Sequence, residues 1–504
     1  MPNFENPYRF EIGKERQLFV DDWMVAKVEG LKKTLHPPVK YEGNPVLTGD
    51  LPFEKDFACL HGTVLKDPID GLFKAWYLSG GNGIGYAVSE EGIHWRKPLF
   101  EIFPIDGKAT NIVYRGQYPD LVAEQAWKAD GCSVMVDPDD SDPARRYKLF
   151  AFEVPVSPEA RERFPDGYGY YTATSPDGLH WTVGSPPVLT KRKDDPLMSD
   201  ANTCMFDPLR NRYIAFTKRH QIWPDGIGDQ GVMKRVRGVS FSDDFKNWTR
   251  PVTCLLPDDH DARDVEFYRQ GGWIYEGMYL GLLEIYHSDY EHPTCPLMRN
   301  LQLVSSRDGE LWGRAGGRET FIDNGPEGSW DGKMLELNSC GPILVDDELW
   351  IYYGGRPYPH ESHPELFPWN GPRGAGIGLA KLRRDGFVSY DAADVPGTLL
   401  TKAFRFQEGS SLHINADAGQ GQIRVEVIAI FERENIPRRQ AFWDFGYGDP
   451  IQHFSLTEAV PVSGDQPNAT VSWKMGQDLS RFAGQWIALR FHVQNASLYS
   501  FWIE

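Results

Sequence analysis

Four segments of the chain end a predicted strand with nearly the same turn phrase, which runs from Ser through acidic residues to Trp. The four copies occupy residues 89–95, 175–181, 242–248 and 306–312, and a decayed fifth copy lies at 382–387. Their acidic positions follow one another at spacings of 64 to 86 residues. A repeat of this length constrains the architecture strongly, because a strand-and-turn unit cannot bury its apolar face alone and must pack against its neighbours.

Each turn phrase closes a set of short apolar runs that is typical of one blade of a β-propeller. In the third unit the runs 203–206, 213–217 and 238–242 are rich in β-branched and aromatic residues and are bounded by Gly, Pro, Asn and Asp. These are strand signals, and apolar runs with helical periodicity are scarce. The sequence therefore predicts an all-β fold, a five-bladed β-propeller followed by a C-terminal β-sandwich.

The domain boundaries are predicted from the point where the repeat ends. A linker near residues 392–397 precedes a tail whose strand-like runs lack the Trp turn. We predict an N-terminal strand segment, residues 1–45, that closes or braces the ring. The propeller would form the catalytic domain, residues 46–395, and the β-sandwich would span residues 400–504.

Charge and composition exclude several classes of partner. The net charge is −18 and the isoelectric point is near 5.2, which argues against nucleic acid and anionic membrane surfaces, since both select basic patches. No run approaches the ~20 apolar residues of a membrane span, and the N-terminal stretch lacks signal-peptide features. None of the six cysteines forms a Cys-x-x-Cys pair. We therefore expect a cytoplasmic protein, with a homo-oligomer as a further expectation.

Chemistry in a propeller is expected where the innermost strands line the central channel. One or two carboxylates open each predicted inner strand, and if they converge on the mouth of the channel they would form an acidic pocket. Such carboxylates shift each other's pKa values, so that one can act as a general acid while another is ionised, as glycoside hydrolysis requires. The alternative role of any one of them is to cap a turn. The candidates are Glu54, Asp56, Asp130, Asp200, Asp264, Glu266, Asp331 and Glu336.

Side chains of other types near these positions are candidates for binding a carbohydrate substrate. Aromatic rings suit the faces of sugars, and cations suit hydroxyl and carboxylate groups. The predicted substrate-binding residues are Glu54, His61, Asn202, Lys218, Arg263, Tyr268, Trp330, Glu336 and Arg356. Further candidates are Arg219, His220, Trp223, Tyr275, Tyr279 and Trp369.

Three kinds of motif carry a resemblance to a known group of enzymes. The turn phrases, the Gly-Ser-Trp-Asp segment 328–331 and the Leu-His-Ile-Asn-Ala-Asp segment 412–417 resemble the five-bladed β-propeller glycoside hydrolases. The two-domain plan is most similar to glycoside hydrolase family 32, and families 43, 62, 68 and 117 share the propeller. The Trp-Met-Asn-Asp-Pro-Asn-Gly signature of family 32 is absent. The resemblance implies three catalytic carboxylates that come from different inner strands.

The resemblance implies roles for individual carboxylates by their position. Asp56 or Glu54 occupies the place of the nucleophile or base in the first blade. Asp200 and Asp264 are candidates for a second catalytic or modulating carboxylate, and Asp331 is a reserve candidate. The implied activity is that of a glycosidase, exo-acting on oligosaccharides.

Glu266 is the predicted general acid. Its neighbours Phe267 and Tyr268 predict apolar surroundings, which raise the pKa of a carboxyl group. The substitution Glu266→Gln is therefore expected to abolish hydrolysis while folding is retained.

Other functions stay open at this stage. A glycoside phosphorylase or transglycosidase would need a basic cluster for phosphate, which residues 218–220 and 234–237 could supply. A non-catalytic carbohydrate-binding propeller is the second alternative. No cofactor is expected, and the His-containing segment 360–365 lies in a predicted loop rather than on a metal-binding helix. A channel Ca²⁺ ion is a lesser alternative.

Overall fold

The computed structural model describes residues 10–81, 83–184, 186–222, 233–288, 297–360, 374–432, 445–476 and 478–504. The regular structure in this part of the chain is almost entirely strand, which confirms the predicted all-β class. The α-helices described are the short segments Pro119–Ala123 and Pro158–Arg163. None of the helices described is long and apolar enough to cross a membrane.

The chain divides into two compact units. The central unit contains Pro37–Arg314 and Arg318–Lys381. The terminal unit contains Met1–His36, Ala315–Gly317 and Leu382–Glu504.

The N-terminal segment contributes short strands to both units. The strands are β1 (Phe10–Glu11), β2 (Gln17–Leu18), β3 (Val25–Glu29), β4 (Lys32–Leu35), β5 (Val39–Lys40) and β6 (Leu47–Thr48). Strands β5 and β6 belong to the central unit, in which they pair with the last strand of that unit.

The central unit begins with three antiparallel sheets that follow one another along the chain. The first sheet and its side hairpin contain β7 (Ala58–Lys66), β8 (Phe73–Ser79), β9 (Ile84–Ser89), β10 (Phe100–Ile105), β11 (Lys108–Thr110) and β12 (Ile112–Tyr114). The second contains β13 (Trp127–Val136), β14 (Tyr147–Pro155), β15 (Gly169–Ser175), β16 (Thr182–Val183) and β17 (Leu189–Thr190). The third contains β18 (Thr203–Asp207), β19 (Arg212–Ile222), β20 (Met233–Ser242) and β21 (Val252–Leu255).

A longer sheet completes the central unit. Its first part contains β22 (Val265–Tyr275), β23 (Met278–His287), β24 (Arg299–Ser306), β25 (Gly313–Arg314) and β26 (Thr320–Ile322). Its second part contains β27 (Met334–Leu337), β28 (Ile343–Val345), β29 (Glu348–Arg356) and β30 (Gly376–Arg383). One parallel pairing, Arg299 with Met334, joins the two parts. The number of blades therefore stays a prediction.

The inner strands β7, β13, β18, β22 and β27 are joined in a closed circuit by hydrogen bonds that involve side chains. Such a circuit is the arrangement of a propeller, whose inner strands surround a central channel. Polar side chains on these strands therefore converge, although they are far apart in sequence. The bonds run from Val134 N to Thr63 Oγ1 (2.8 Å), Cys204 N to Ser133 Oγ (2.9 Å), Thr203 Oγ1 to Gln270 O (2.5 Å), Arg269 Nη1 to Leu337 O (3.4 Å) and Val64 N to Asn338 Oδ1 (2.8 Å).

The turn phrase forms a compact hydrogen-bonded turn that holds its Trp against a neighbouring sheet. In the copy at 306–312, Ser306 Oγ accepts a hydrogen bond from Gly309 N at 2.9 Å, and Asp308 Oδ1 accepts from the next two backbone N–H groups. Gly309 has φ of 72°, which favours glycine because it lacks a Cβ. Trp312 is buried and contacts Phe216 of β19 edge to face. The repeated phrase thus links one sheet to the next.

The tail of the chain forms a second core around one long strand, β34. The strands are β31 (Val388–Ala392), β32 (Gly397–Thr401), β33 (Phe404–Arg405), β34 (Leu412–Glu432), β35 (Phe445–Pro450), β36 (Val462–Thr470), β37 (Ile487–Gln494) and β38 (Ala496–Ile503). Strand β34 pairs antiparallel with the last four. Alternate residues Ile423, Val425 and Val427 are fully buried beside Phe491 and Phe501. The tail is therefore built of strands, as predicted.

Candidate active site

A small cavity lies among the inner strands β7, β13, β18 and β22. Its volume is about 10 Å³, close to the space that one water molecule needs. The lining is polar and includes two carboxylates from neighbouring sheets. The lining residues are His61, Asp130, Gly131, Asp200, Ala201, Asn202, Tyr268 and Arg269.

The carboxylates of Asp130 and Asp200 each pair with a lysine. Lys128 Nζ lies 2.6 Å from Asp130 Oδ2, and Lys218 Nζ forms an ion pair with Asp200 Oδ1. Burial is the largest single influence and raises the pKa of both carboxyl groups, but the lysine beside each, together with His61 for Asp130 and the Ala201 N–H group for Asp200, holds each pKa below its ordinary value. The charge of Asp200 acts on Asp130 in the opposite direction and raises its pKa. Both carboxylates are therefore ionised at neutral pH.

The two lysines differ in how firmly they are held. The side chain of Lys128 is 57% exposed, whereas that of Lys218 is 4% exposed. A bound molecule can therefore displace Lys128 from Asp130 more readily than it can displace Lys218 from Asp200. Lys218 has no such freedom, so Asp200 keeps its counter-charge.

Two further polar groups of the cavity have no hydrogen-bond partner among the described residues. The Asn202 side chain is 4% exposed, and both its Oδ1 and its Nδ2 are unsatisfied. His61 Nε2 is likewise unsatisfied, and burial lowers the pKa of His61, which leaves the ring neutral at pH 7. An unpaired buried polar group costs about 1–3 kcal/mol. These groups are therefore available to bond a polar ligand or a water molecule in the cavity.

A buried network borders the cavity on the side of β27 and β29. Glu336 accepts hydrogen bonds from Arg356 Nη2 at 2.5 Å, Cys59 Sγ at 3.0 Å and Arg299 Nη2 at 3.4 Å. Burial raises the pKa of Glu336, but Arg356, His61 and Arg299 together outweigh burial and hold the pKa well below the ordinary value. His61 Nε2 lies 3.7 Å from Glu336 Oε1. This network keeps Glu336 ionised and bonded on both oxygens.

The same network does not fit a metal ion. Ligand atoms of Cys59, His61 and Glu336 lie within 4.8 Å of one another. However, Arg356 donates to the sulfur of Cys59 at 2.9 Å and to Glu336, and burial raises the pKa of the Cys59 thiol. A guanidinium already neutralises the site, and a protonated thiol is a poor ligand.

Cations surround the ring of Tyr268, which also lines the cavity. Lys218 Nζ lies 4.4 Å from the ring centroid, and the guanidinium carbons of Arg299 and Arg235 lie at 4.3 Å and 5.4 Å. His360 Nε2 lies 3.2 Å from the Tyr268 hydroxyl, and burial lowers the pKa of His360 well below its ordinary value. Each cation also has a carboxylate partner, namely Asp200 for Lys218, Glu266 for Arg235 and Glu284 for Arg299.

The structure brings together about half of the predicted site residues. Those that lie around the central cavity or in its bordering network are His61, Asp130, Asp200, Asn202, Lys218, Tyr268, Glu336 and Arg356. Asp56 and Trp330 line a second cavity. Trp223, Trp369 and residues 361–365 lie outside the described residues.

Glu266 is placed differently from the expectation that made it the general acid. Its side chain is fully buried, but Arg235 Nη1 donates to Oε2 at 2.7 Å and Ser288 Oγ donates to Oε1 at 2.6 Å. The expected apolar surroundings are not found, because a guanidinium and a hydroxyl occupy them. Glu266 therefore orients Arg235 beneath Tyr268.

Several other predicted residues are engaged in contacts outside the cavity lining. Arg263 is exposed, and its carbonyl accepts a hydrogen bond from Lys234. Arg219 pairs with Asp195, and Tyr279 donates to Asp207. The remaining contacts join Glu54 to Lys97 (2.5 Å) and Tyr77 (2.7 Å), Asp264 to His287 (2.8 Å), and Asp331 to Lys40 (2.6 Å) and Tyr353 (3.1 Å).

Sequence reasoning missed three residues of the site, Cys59, Lys128 and Arg299. A signal existed for Lys128, because residues two apart on a strand share a face and Lys128 precedes Asp130 in β13 by two. Cys59 and Arg299 reach the site only through the ring, and no local pattern marks them.

Acidification is expected to destabilise the fold below about pH 4. The pKa values of Asp130 and Glu336 are lower in the folded protein than in the unfolded chain, where they lie near 4. The ionised carboxylates therefore stabilise the fold fully above about pH 4, and this stabilisation is lost as the pH falls towards the folded pKa values. Thermal unfolding midpoints between pH 7 and pH 3 measure this. The unfolding midpoint of Asp130→Asn should fall less on acidification than that of the wild type. The midpoint of Asp139→Asn, a variant in an exposed turn, should fall as much as that of the wild type. A midpoint that rises on acidification would contradict the assignment.

Comparisons with known proteins show likeness without membership of a family. No family model matches the chain. The chain is 24% identical over 279 residues to a 1,2-beta-oligomannan phosphorylase from Thermoanaerobacter sp. (strain X514), an alignment that covers 54% of this chain and 74% of the relative.

Several solved structures are similar at low identity. An N-acetylgalactosamine deacetylase from F. plautii is 14% identical with a TM-score of 0.45, covering 70% of this chain and 96% of that chain. A glycosyl hydrolase from Bacteroides ovatus is 13% identical with a TM-score of 0.46, covering 73% and 97%. A structure from the GH130 family is 13% identical with a TM-score of 0.45, covering 69% and 94%. The specific likeness to family 32 is not supported.

Proposed function

We propose that the protein cleaves glycosidic bonds by hydrolysis at the central cavity. The observation that carries this proposal is the placement of Asp130 in β13 and Asp200 in the segment that leads into β18, which line one cavity of about the volume of a water molecule. Glycoside hydrolysis by inversion needs two carboxyl groups with room for a water molecule between them and the sugar. His61 and Asn202 supply unsatisfied polar groups for the same ligand.

The environments of the two carboxylates suggest different roles. Asp200, whose lysine is buried, stays ionised and accepts a proton from the attacking water. Asp130, whose lysine is exposed and whose pKa Asp200 raises, becomes protonated when a bound sugar displaces solvent and Lys128. It then donates that proton to the oxygen of the leaving group while the bond from the anomeric carbon to that oxygen breaks. Afterwards Asp200 releases its proton to solvent, and Asp130 takes up a proton from solvent.

The substrate class follows from the relative in combination with the site. The relative that aligns over 279 residues is a phosphorylase of 1,2-beta-oligomannan. We therefore take β-1,2-linked manno-oligosaccharides as the first substrates to test, with cleavage of the terminal unit as the expected mode.

Phosphorolysis is the second candidate, and the cations around Tyr268 favour it. Lys218, Arg235 and Arg299 provide the positive charge that a phosphate nucleophile would need. Against it, each of these cations already bonds a carboxylate, so phosphate would have to displace acidic partners, of which Glu266 and Glu284 are fully buried. Hydrolysis needs no such displacement and is the function we favour.

Cleavage is expected to proceed in phosphate-free buffer, with free mannose of inverted anomeric configuration as the first product of β-1,2-mannotriose. Proton NMR of the early product and ion chromatography for sugar phosphate measure both properties. Excess phosphate should leave the rate within about twofold, since no phosphate enters the reaction. Turnover that requires phosphate and yields a mannose phosphate would instead establish the phosphorylase.

A carbohydrate-binding protein without turnover is distinguished by the same substrates. Binding of the oligosaccharide with no product would favour it, and Asp200→Asn would then leave the affinity nearly unchanged. The channel Ca²⁺ ion, the cytoplasmic location and the homo-oligomer remain predictions.

A further inference from the structure

A second and larger cavity lies beside β29 and β30 of the central unit. Its volume is about 420 Å³, which falls in the size range of small-molecule sites. It shares no lining residue with the central cavity. The lining residues are Pro45, Thr48, Gly49, Asp50, Asp56, Gly328, Trp330, Pro357, Gly374, Ala375 and Gly376.

The indole of Trp330 lies flat on a patch of glycines in this cavity. A Cβ on Gly355 would approach Trp330 Cζ3 to 2.5 Å, and one on Gly378 would approach Cη2 to 2.8 Å. Gly376 has the same neighbour at 3.3 Å. One side of the ring therefore rests on backbone from which side chains are absent, while the half-buried Trp330 also lines the cavity. This is a fixed aromatic platform rather than a core side chain.

Asp56 presents a carboxylate beside that platform from a strained backbone. Lys55 and Asp56 have φ of 53° and 60°, the left-handed region that non-glycine residues rarely adopt. Asp56 N donates to Gly49 O at 3.1 Å and Ala375 N donates to Asp56 O at 3.0 Å, so the backbone is held on both sides. The side chain remains exposed. Backbone strain that surrounding contacts maintain is found at ligand sites.

The other carboxylate of the cavity is already neutralised. Asp50 Oδ1 pairs with Lys97 Nζ at 2.6 Å, and Lys97 also bonds Glu54. Asp56 is thus the carboxylate placed to accept hydrogen bonds from a ligand's hydroxyl groups. An aromatic face with an acceptor at its edge matches a pyranose ring, which has an apolar face and hydroxyls around its rim.

We propose that this cavity is a second sugar subsite, at which a remote unit of the oligosaccharide stacks on Trp330 and hydrogen-bonds Asp56. The inference rests on the proposed function, because it assigns the substrate a length. Asp56 precedes His61 of the central cavity by five residues, at most about 17 Å along an extended strand. The two cavities are therefore close enough for one short oligosaccharide to reach both. The protein should therefore prefer oligosaccharides to disaccharides.

Binding measured by titration calorimetry with β-1,2-mannobiose and β-1,2-mannotetraose tests the subsite, with every protein compared also carrying Asp200→Asn so that neither ligand is cleaved during the titration. The Asp200→Asn protein should bind the tetraose about tenfold more tightly than the biose, the effect of one additional stacked ring. Trp330→Ala and Asp56→Asn should each reduce that ratio towards one. The control variant Asp139→Asn, in an exposed turn, should keep the ratio of the Asp200→Asn protein. Cellotetraose and cellobiose provide a second pair of probes.

The outcome separates this proposal from the proposed function, because calorimetry needs no turnover. Turnover of the biose together with equal affinities for biose and tetraose would overturn the subsite and leave the activity intact. A length preference that disappears in Trp330→Ala, without any cleavage by the wild type, would support the subsite and reject the hydrolase. Failure of both tetraoses to bind the Asp200→Asn protein would overturn the subsite. Should Trp330→Ala fold poorly by circular dichroism, Asp56→Asn, with its exposed side chain, decides the question.

Discussion

Asp200→Asn is expected to lower kcat for glycoside cleavage by about a thousandfold, within the range that general acid–base catalysis contributes. Asparagine keeps the shape of the side chain and can still accept a hydrogen bond from Ala201 N, which donates to Asp200 Oδ1 at 2.8 Å. It cannot accept a proton from water. The loss should therefore appear in kcat, with little change in KM, because the sugar contacts remain.

Steady-state kinetics on β-1,2-mannotriose and thermal unfolding of the same samples provide the measurement. The matched control is Asp139→Asn, the same chemical change in an exposed turn, which should leave kcat within twofold. Asp130→Asn should also be slow, and an aryl mannoside with a good leaving group should recover activity for Asp130→Asn alone, because that leaving group needs no proton. Retention of more than a tenth of wild-type kcat by Asp200→Asn would refute its role as the base.

Glu266→Gln is expected to reduce the free energy of unfolding by about 3–5 kcal/mol, the cost of breaking one side of a buried ion pair. The side chains of both partners are almost completely buried, and their atoms lie 2.7 Å apart. Glutamine would leave the Arg235 guanidinium without a counter-charge in a region already rich in cations. Activity should fall as well, since Arg235 contacts the ring of Tyr268.

Urea denaturation measures this change. The control is Glu310→Gln, which breaks the exposed ion pair between Glu310 and Arg212 and should cost less than about 1 kcal/mol. The opposite pattern, unchanged stability with complete loss of turnover, would restore Glu266 to the role of general acid that its neighbours in sequence indicate.

The turn phrase shows how far local pattern carries a prediction. Ser306, Asp308, Gly309 and Trp312 form their turn with bonds between residues two or three apart, so their spacing alone predicts it. The alternation along Ile423, Val425 and Val427 predicts the buried face of β34 in the same way. The repeat of the turn phrase and the alternation of apolar residues depend only on residues close together in the sequence, so the sequence alone reveals them.

The candidate site depends on contacts between residues far apart in sequence, which local patterns do not predict. The sequence indicates that carboxylates open the inner strands, and Asp130 and Asp200 do meet at one cavity. It does not indicate that Arg235 would occupy the surroundings of Glu266, since the two are 31 residues apart. The sequence predicts Glu266 to be the general acid because its surroundings are expected to be apolar. That expectation is wrong, because Arg235 lies beside the Glu266 carboxylate.

The sequence by itself determined the all-β class, the strand-and-turn unit and the acidic residues at one end of the inner strands, because each follows from spacing and residue type. Only the tertiary structure decided which charge faces which. Cys59 and Glu336 are 277 residues apart and their side chains lie at 3.0 Å, and such pairs set whether a carboxyl group is ionised, bonded or free to react. The physical reason is that pKa and burial depend on what the closed ring brings within a few ångströms.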